Sequence, residues 1–166
     1  MTGAPGAEAV GRGDMRIRPF DVADTESVVA LWRSAGLVVP WNDPYRDIER
    51  KLAVQPELFL VGESAGVVVA TAMVGYDGHR GWVNYLAVDL ERRGERLGAL
   101  LMAEAERLLS ERGCPKLNLQ VRSTNSGVIE FYRSLGYEID DVASLGKRLI
   151  PDAPAIADAV AVAPRH

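Results

Sequence analysis

Cysteine occurs once in the 166 residues, at Cys114, and histidine twice, at His79 and His166. A lone cysteine excludes an internal disulfide and a cysteine-rich metal cluster. Two histidines, one of them the final residue, argue against a histidine zinc site and leave a histidine triad a single base. No metal is expected. No apolar run approaches the roughly 20 residues of a membrane-spanning helix. Positive charge is not in excess either. The net charge is −4 and the pI about 5.2, so neither nucleic acid nor a membrane surface is an expected partner. The opening stretch, MTGAPGAEAVGRGD, lacks the apolar core of a secretory signal. With a single thiol, a cytoplasmic location is expected.

What is present is ordinary for one soluble domain: 48% hydrophobic and 25% charged residues, in a chain long enough to bury a core. Residues 1–14 are expected to form a flexible leader. The alanine- and proline-rich end, PDAPAIADAVAVAPRH, is expected to be a flexible tail over residues 151–166. The folded unit then covers residues 15–150.

Periodicity orders the elements. MRIRP (15–19) alternates as a strand. Asp21 or Asp24 caps a helix that carries Val28, Leu31 and Trp32 on one face. Asp43 followed by Pro44 starts a second helix. Residues 58–62 and 67–74 are apolar runs broken by SAG, a hairpin signal. YDGHRG (76–81) is a turn and WVNYLAV (82–88) a strand. Residues 95–112 form a helix with a stripe from Leu97 to Leu109, ended by Gly113. LNLQV (117–121) is a strand, 125–135 a helix ended by Gly136, and 137–150 should supply one or two closing strands. Three consecutive antiparallel strands and one parallel strand–helix–strand unit imply a mixed α/β sheet with helices covering it.

The junction ERRGERLGALL (91–101) stands between a strand and a long helix. A helix N-terminus offers free N–H groups and a positive dipole end to an anion. Gly94 and Gly98 allow close approach, and Arg92, Arg93 and Arg96 concentrate positive charge in an acidic chain. By itself this is a diphosphate cradle or a solvated turn.

Further along comes NSGVIEFYRSLGY (125–137). The two motifs, in this order and at this separation, resemble the GNAT superfamily of acyl-CoA-dependent N-acetyltransferases. The family's Arg/Gln-x-x-Gly-x-Gly/Ala loop matches Arg93, Gly94, Glu95, Arg96, Leu97 and Gly98, with Arg96 where the family has glycine. Its second motif matches Asn125, Val128, Tyr132, Leu135, Gly136 and Tyr137. PWNDP, YDGHRG, RGCPK and SLGKRLI are closer still to one bacterial branch. The resemblance spans nearly all of residues 15–150.

The resemblance implies a GNAT-like fold, a central mixed sheet with helices on both faces. It implies transfer of an acetyl group from acetyl-CoA directly to a small-molecule or peptide amine in a ternary complex. A bulge in the strand before the loop would free its backbone for the pantetheine arm at Leu86, Ala87 and Val88. The diphosphate would lie on Arg93, Gly94, Arg96, Gly98 and Ala99, with Asn125 along the arm. Tyr132 would meet the departing thiolate. Trp41, Asp43, Asn84 and Tyr85 would border the acceptor.

Bland readings stand beside these. Tyr132 shares a core stripe with Val128, Phe131 and Leu135. Asn125 and Asp43 are good helix caps, and Trp41 suits a hydrophobic staple. Asp77 and His79 read as turn residues. Glu49 is a base by expected proximity alone. The acceptor and the general base are not legible, and a homodimer is neither required nor excluded. A non-catalytic acyl-CoA-binding module is the alternative function.

Overall fold

The computed structural model describes residues 14–152. The leader and tail expected at the two ends lie almost wholly outside these. Strand β1 (Arg16–Pro19) leads into a short 3-10 turn closed by a reciprocal cap, in which Asp21 accepts from the Ala23 amide and Asp24 from the Asp21 amide. Helix α1 (Thr25–Ser34) follows and buries Val28, Val29, Leu31 and Trp32. Arg18 fastens this entry: it donates to Asp24 and Glu63, each at 2.7 Å. Helix α2 (Pro44–Leu52) starts as its sequence dictates. Asp43 accepts from the Tyr45 and Arg46 amides, and Pro44 occupies the first turn, where no N–H is needed.

Strands β2 (Phe59–Ser64) and β3 (Val67–Tyr76) form the expected hairpin. Ala65 and Gly66 both have positive φ, 50° and 77°, as a two-residue turn matched to strand twist requires. Strand β4 (Gly81–Val88), helix α3 (Leu97–Glu111), strand β5 (Leu117–Asn118) and helix α4 (Ser126–Ser134) complete the described elements. The sheet order is β1-β2-β3-β4-β5, antiparallel except for β4 with β5.

Helices cover both faces. On one, Phe20, Val28, Trp32, Ile48, Phe59 and Val61 pack α1 and α2 on the sheet. On the other, Leu101, Met102, Ala105 and Leu109 of α3 and Tyr132 of α4 pack on Leu60, Ala72 and Val83. Each fully buried Leu or Val contributes about 1.5–3 kcal/mol, so these two layers hold the sheet.

The irregularity that matters is in β4. Thr71 pairs with Ala87 but Met73 pairs with Asn84, so β4 carries one extra residue. This is a β-bulge, and Tyr85 takes φ 51° within it. The bulge breaks the alternation of side chains. Val83 and Leu86 belong to the α3 face, and Tyr85 and Ala87 to the α1/α2 face. The displaced Tyr85 carbonyl accepts from the Thr71 hydroxyl at 2.9 Å, and that hydroxyl accepts from Trp32 Nε1 at 2.9 Å. The Trp32 and Tyr85 rings stack with centroids 3.9 Å apart.

Three expectations need correction. LNLQV is a strand only at Leu117–Asn118. The helix expected from residue 95 begins at Leu97, because Arg96 has φ 64° and caps it from the left-handed region. No closing strand forms over residues 137–150. Two residues of β5 offer too short a ladder to extend, and Asp140, Asp141 and Gly146 interrupt the apolar alternation. That segment is held instead by side chains, Lys116 to Asp140 and Arg148 to Asn42, each at 2.7 Å. Leu145 and Leu149 remain exposed.

Thr71→Val keeps the shape but leaves the Trp32 N–H and the Tyr85 carbonyl unpaired in a buried place. Urea denaturation should show a loss of about 2–4 kcal/mol. A loss below about 0.5 kcal/mol would mean that this relay does not hold the bulge.

Candidate active site

The β4–β5 pairing stops almost as soon as it begins. Only Gly81 with Leu117 and Trp82 with Asn118 are in register. Beyond Trp82 the β5-facing edge of β4 has no strand partner among the described residues. Leu86, Ala87 and Val88 lie on this free stretch, with Ala87 buried and Leu86 and Val88 packed partly buried against the α3-side core.

The junction loop closes the end of this fork. Gly94 has φ 85°, a conformation that glycine takes without strain. Arg96 adopts a left-handed conformation that costs a non-glycine residue about 1–2 kcal/mol. Its side chain is exposed, as is that of Arg93, and neither makes a salt bridge among the described residues. Arg92 differs, since Glu95 neutralises it in a close ion pair. The first turn of α3 has no side-chain cap and no acidic residue, so no side chain satisfies its N–H groups or opposes its dipole. Ala99 is in that turn. Gly98 permits a close approach: a methyl group there would lie 3.2 Å from the Phe131 ring and 3.7 Å from Val88 Cγ2. The loop, the free end of β4 and α4 therefore converge.

Tyr132 of α4 lies in the core cluster that Leu86 and Val88 pack against and is 8% exposed. Its ring meets Phe131 and Tyr137 edge-on. Its hydroxyl has no hydrogen-bond partner among the described residues, and burial pushes its pKa up to about 12. Asn125 caps α4, its side chain accepting from the Val128 amide at 3.3 Å.

On the other face of β4, a cleft of about 590 Å³ opens between α2 and the bulge. Asn84 and Tyr85 line it, as do Asn42, Asp47, Arg50, Lys51 and Met73. The Tyr85 hydroxyl donates to Asp47 at 2.6 Å. Burial and this carboxylate both raise the tyrosine's pKa, the burial more. Arg50 bridges Asp47 and Asp152, and Asp152 also accepts from the Asp43 amide. These contacts hold the Asp152 carboxyl down to about 2. Asp43 itself is the α2 cap, and Trp41 is 54% exposed outside the lining. Asp77 accepts from the His79 and Arg80 amides in its turn, and His79 and Glu49 are exposed. A second hollow, of about 480 Å³ beside Arg133 and residues 136–139, holds none of the predicted site residues.

Sequence reasoning missed Asp47, Lys51 and Asp152. The signal for Lys51 was present: it stands three residues after Ile48, on the buried stripe of α2. Nothing local marks Asp152, whose partners are about a hundred residues away.

The model of the Acetyltransferase (GNAT) family matches residues 26–137. The chain belongs to this family. An acetyltransferase of Yersinia enterocolitica is 51% identical over 138 residues, covering 83% of this chain and 98% of that protein. One of Sodalis glossinidius is 52% identical over 139 residues, with the same coverage. Among solved structures, Ard1 from Thermoplasma volcanium superposes with a TM-score of 0.63 at 26% identity, over 76% of this chain and 84% of that one. AAC(6')-Iy, solved with the bisubstrate analogue CoA-S-monomethyl-acetylneamine, has a TM-score of 0.68 at 18% identity, over 82% and 99%. GNAT membership and the acetyltransferase relatives make this chain an acyltransferase of mixed α/β fold. Among the described residues there is no metal-binding cluster and no helix long and apolar enough to cross a membrane.

The raised pKa of Tyr132 has a stability consequence. The unfolded phenol ionises near pH 10, while the buried one keeps its proton to about 12. The unfolded chain thus binds fewer protons in that window, and stability falls as pH rises through it. Tyr85 and Tyr137, also raised, steepen the fall. Tyr132→Phe should flatten it by on the order of 2 kcal/mol in chemical denaturation compared between pH 9 and 11.5. An unchanged slope would place the Tyr132 hydroxyl in water.

Proposed function

We propose that this GNAT protein transfers an acetyl group from acetyl-CoA to an amine held in the cleft over Tyr85. One observation carries the reading. The bulge gives β4 a partnerless backbone edge on one side and turns Asn84 and Tyr85 into a cleft on the other. A donor on that edge and an acceptor in that cleft would meet across a few residues of one strand.

Acetyl-CoA would be the group on the fork, and the residues present fit it. Leu86 and Val88 offer main-chain groups on that edge to the amides of the pantetheine arm, and Ala87 between them is tied to Thr71 of β3. Arg93, Arg96, Gly94 and the Gly98–Ala99 turn offer uncommitted positive charge and N–H groups to the diphosphate. Asn125, whose side-chain nitrogen makes no hydrogen bond among the described residues, would contact the arm.

An alkylamine is an ammonium at neutral pH, with a pKa of about 10.4, and must lose a proton before it attacks. Asp47 is the carboxylate of the cleft lining and touches Tyr85, so it receives that proton directly or through the phenol. A C–N bond then forms at the thioester carbonyl. The oxyanion is met by main-chain N–H near Val88. As the C–S bond breaks, the Tyr132 hydroxyl donates to the thiolate. Its pKa of about 12 exceeds the roughly 8.5 of a thiol, so it stabilises the thiolate by hydrogen bonding, and solvent completes the protonation.

Acetyl-CoA binding followed calorimetrically, and thiol release with an amine panel, test this together. Wild type should bind one acetyl-CoA per chain. Tyr132→Phe should lower kcat by about 100-fold while acetyl-CoA affinity changes less than about threefold. Removing the Arg93 charge should weaken acetyl-CoA about tenfold. Binding with no Tyr132-dependent turnover would favour the acyl-CoA-binding module instead. No binding would remove both readings.

A further inference from the structure

Lys51 is the one charged group lining the cleft without a salt bridge among the described residues; Glu57, itself bonded to Arg112, favours its ammonium less than burial opposes it. Lys51 is 8% exposed. Its ammonium donates to the Val74 carbonyl at 2.5 Å and makes no salt bridge among the described residues. The other charges of the cleft are committed. Asp47 is held by Arg50 and Tyr85, and Arg50 by Asp47 and Asp152. A buried cation with one neutral partner is poorly compensated. Burial accordingly lowers the Lys51 pKa. Two of its three N–H donors are left for an occupant of the cleft.

The placement is directional. Asp47 and Lys51 are four residues apart on α2 and both line the cleft. They are thus one turn apart, about 6 Å along the axis. Asp47 stands at the Tyr85 end, beside the bulge. Lys51 stands at the Val74 end, away from it. Arg148 donates to Asn42, next to the Asp43 cap, so with Arg50 and Asp152 it belongs to the Asp47 end. The charges at the Asp47 end thus match one another, and the charge left over in the cleft is the positive one of Lys51, one turn along α2.

We propose that the acceptor is a small amine carrying an anionic group, carboxylate or phosphate, and that Lys51 binds that group while the ammonium faces Asp47 and Tyr85. This rests on the reading of the cleft as the acceptor side. Lys51 is a specificity residue here and takes no part in bond making. A volume of about 590 Å³ suits a small molecule. Polyamines and aminoglycosides, purely cationic, would set a charge against Lys51.

The test uses matched probes. Free L-amino acids are compared with their carboxamides, and O-phosphoethanolamine with ethanolamine. Spermidine and an amidated peptide with a free N-terminus serve as controls. Binding is read by calorimetry and acetyl transfer by thiol release. At least one anionic probe should bind about 10- to 100-fold more tightly than its neutral partner, and the class that does separates carboxylate from phosphate. Lys51→Met should remove that ratio, by raising KM for the anionic probe toward that of its neutral partner. It should not lower Tm, since it replaces an uncompensated buried charge. Lys51→Gln, which keeps a donor for Val74, is the second variant should Met fail to fold. Equal binding of charged and neutral partners, preference for spermidine or the peptide, no binding by any anionic probe, or a ratio that survives both variants would each overturn the proposal. Acetyl-CoA binding is measured separately without acceptor. Its failure would remove the acetyltransferase reading and leave the recognition result standing.

Discussion

The extra residue in β4 is the constraint on which the rest of the site depends. A regular β4 would continue its ladder to β5 and point Asn84 away from the face that Tyr85 occupies. With the bulge, two neighbouring side chains face the same cleft and the strand's far edge parts from β5. The distortion is maintained from outside the strand. Trp32 of α1 stacks on Tyr85, and the Thr71 hydroxyl satisfies the carbonyl that the bulge displaces. An aromatic residue at φ 51° costs on the order of 1–3 kcal/mol, and the surrounding packing offsets it. The core of the α1/α2 face is thus also the support of the site.

Strain recurs at Arg96, at the other end of the fork. Glycine would adopt φ 64° freely, yet the chain places arginine there, with its side chain exposed and in no salt bridge among the described residues. The backbone keeps the geometry that starts α3 with its N–H groups open. Arg93 and Arg96 carry uncommitted charge over an acidic protein, while Glu95 consumes the charge of Arg92. Loop and bulge together concentrate the strained non-glycine backbone of this region around one edge of β4.

Much of this was legible in the sequence, and the physical reason is locality. The Asp43–Pro44 helix start, the Ser-Ala-Gly hairpin, the long α3 stripe and the Gly113 and Gly136 stops are set by neighbours a few residues apart. The GNAT resemblance supplied the fork, the loop and Tyr132. The acceptor cleft was only half legible. Asn84 and Tyr85 share it because of the bulge, whereas Trp41 and Asp43 serve as an exposed loop residue and a cap. Lys51 sits on a core stripe that would ordinarily exclude it, and Asp152 meets Arg50 across 102 residues. Contacts of that range leave no local pattern. The closing strands failed for the opposite reason: 137–150 has strand-like residues but only a two-residue β5 beside it.

If the bulge frees the β4 edge for the acyl donor, donor binding must change the main chain there. Amide hydrogen exchange read by NMR, with and without saturating acetyl-CoA, tests it most directly. Binding should bring new protection at Leu86 and Val88 and in the first turn of α3 from Leu97 to Ala99, with Ala87 little changed because Thr71 of β3 already pairs it, and Gly81 and Trp82 little changed because β5 already pairs them. Saturation that leaves Leu86 and Val88 as exposed as before, or that protects another edge of the sheet, would contradict it.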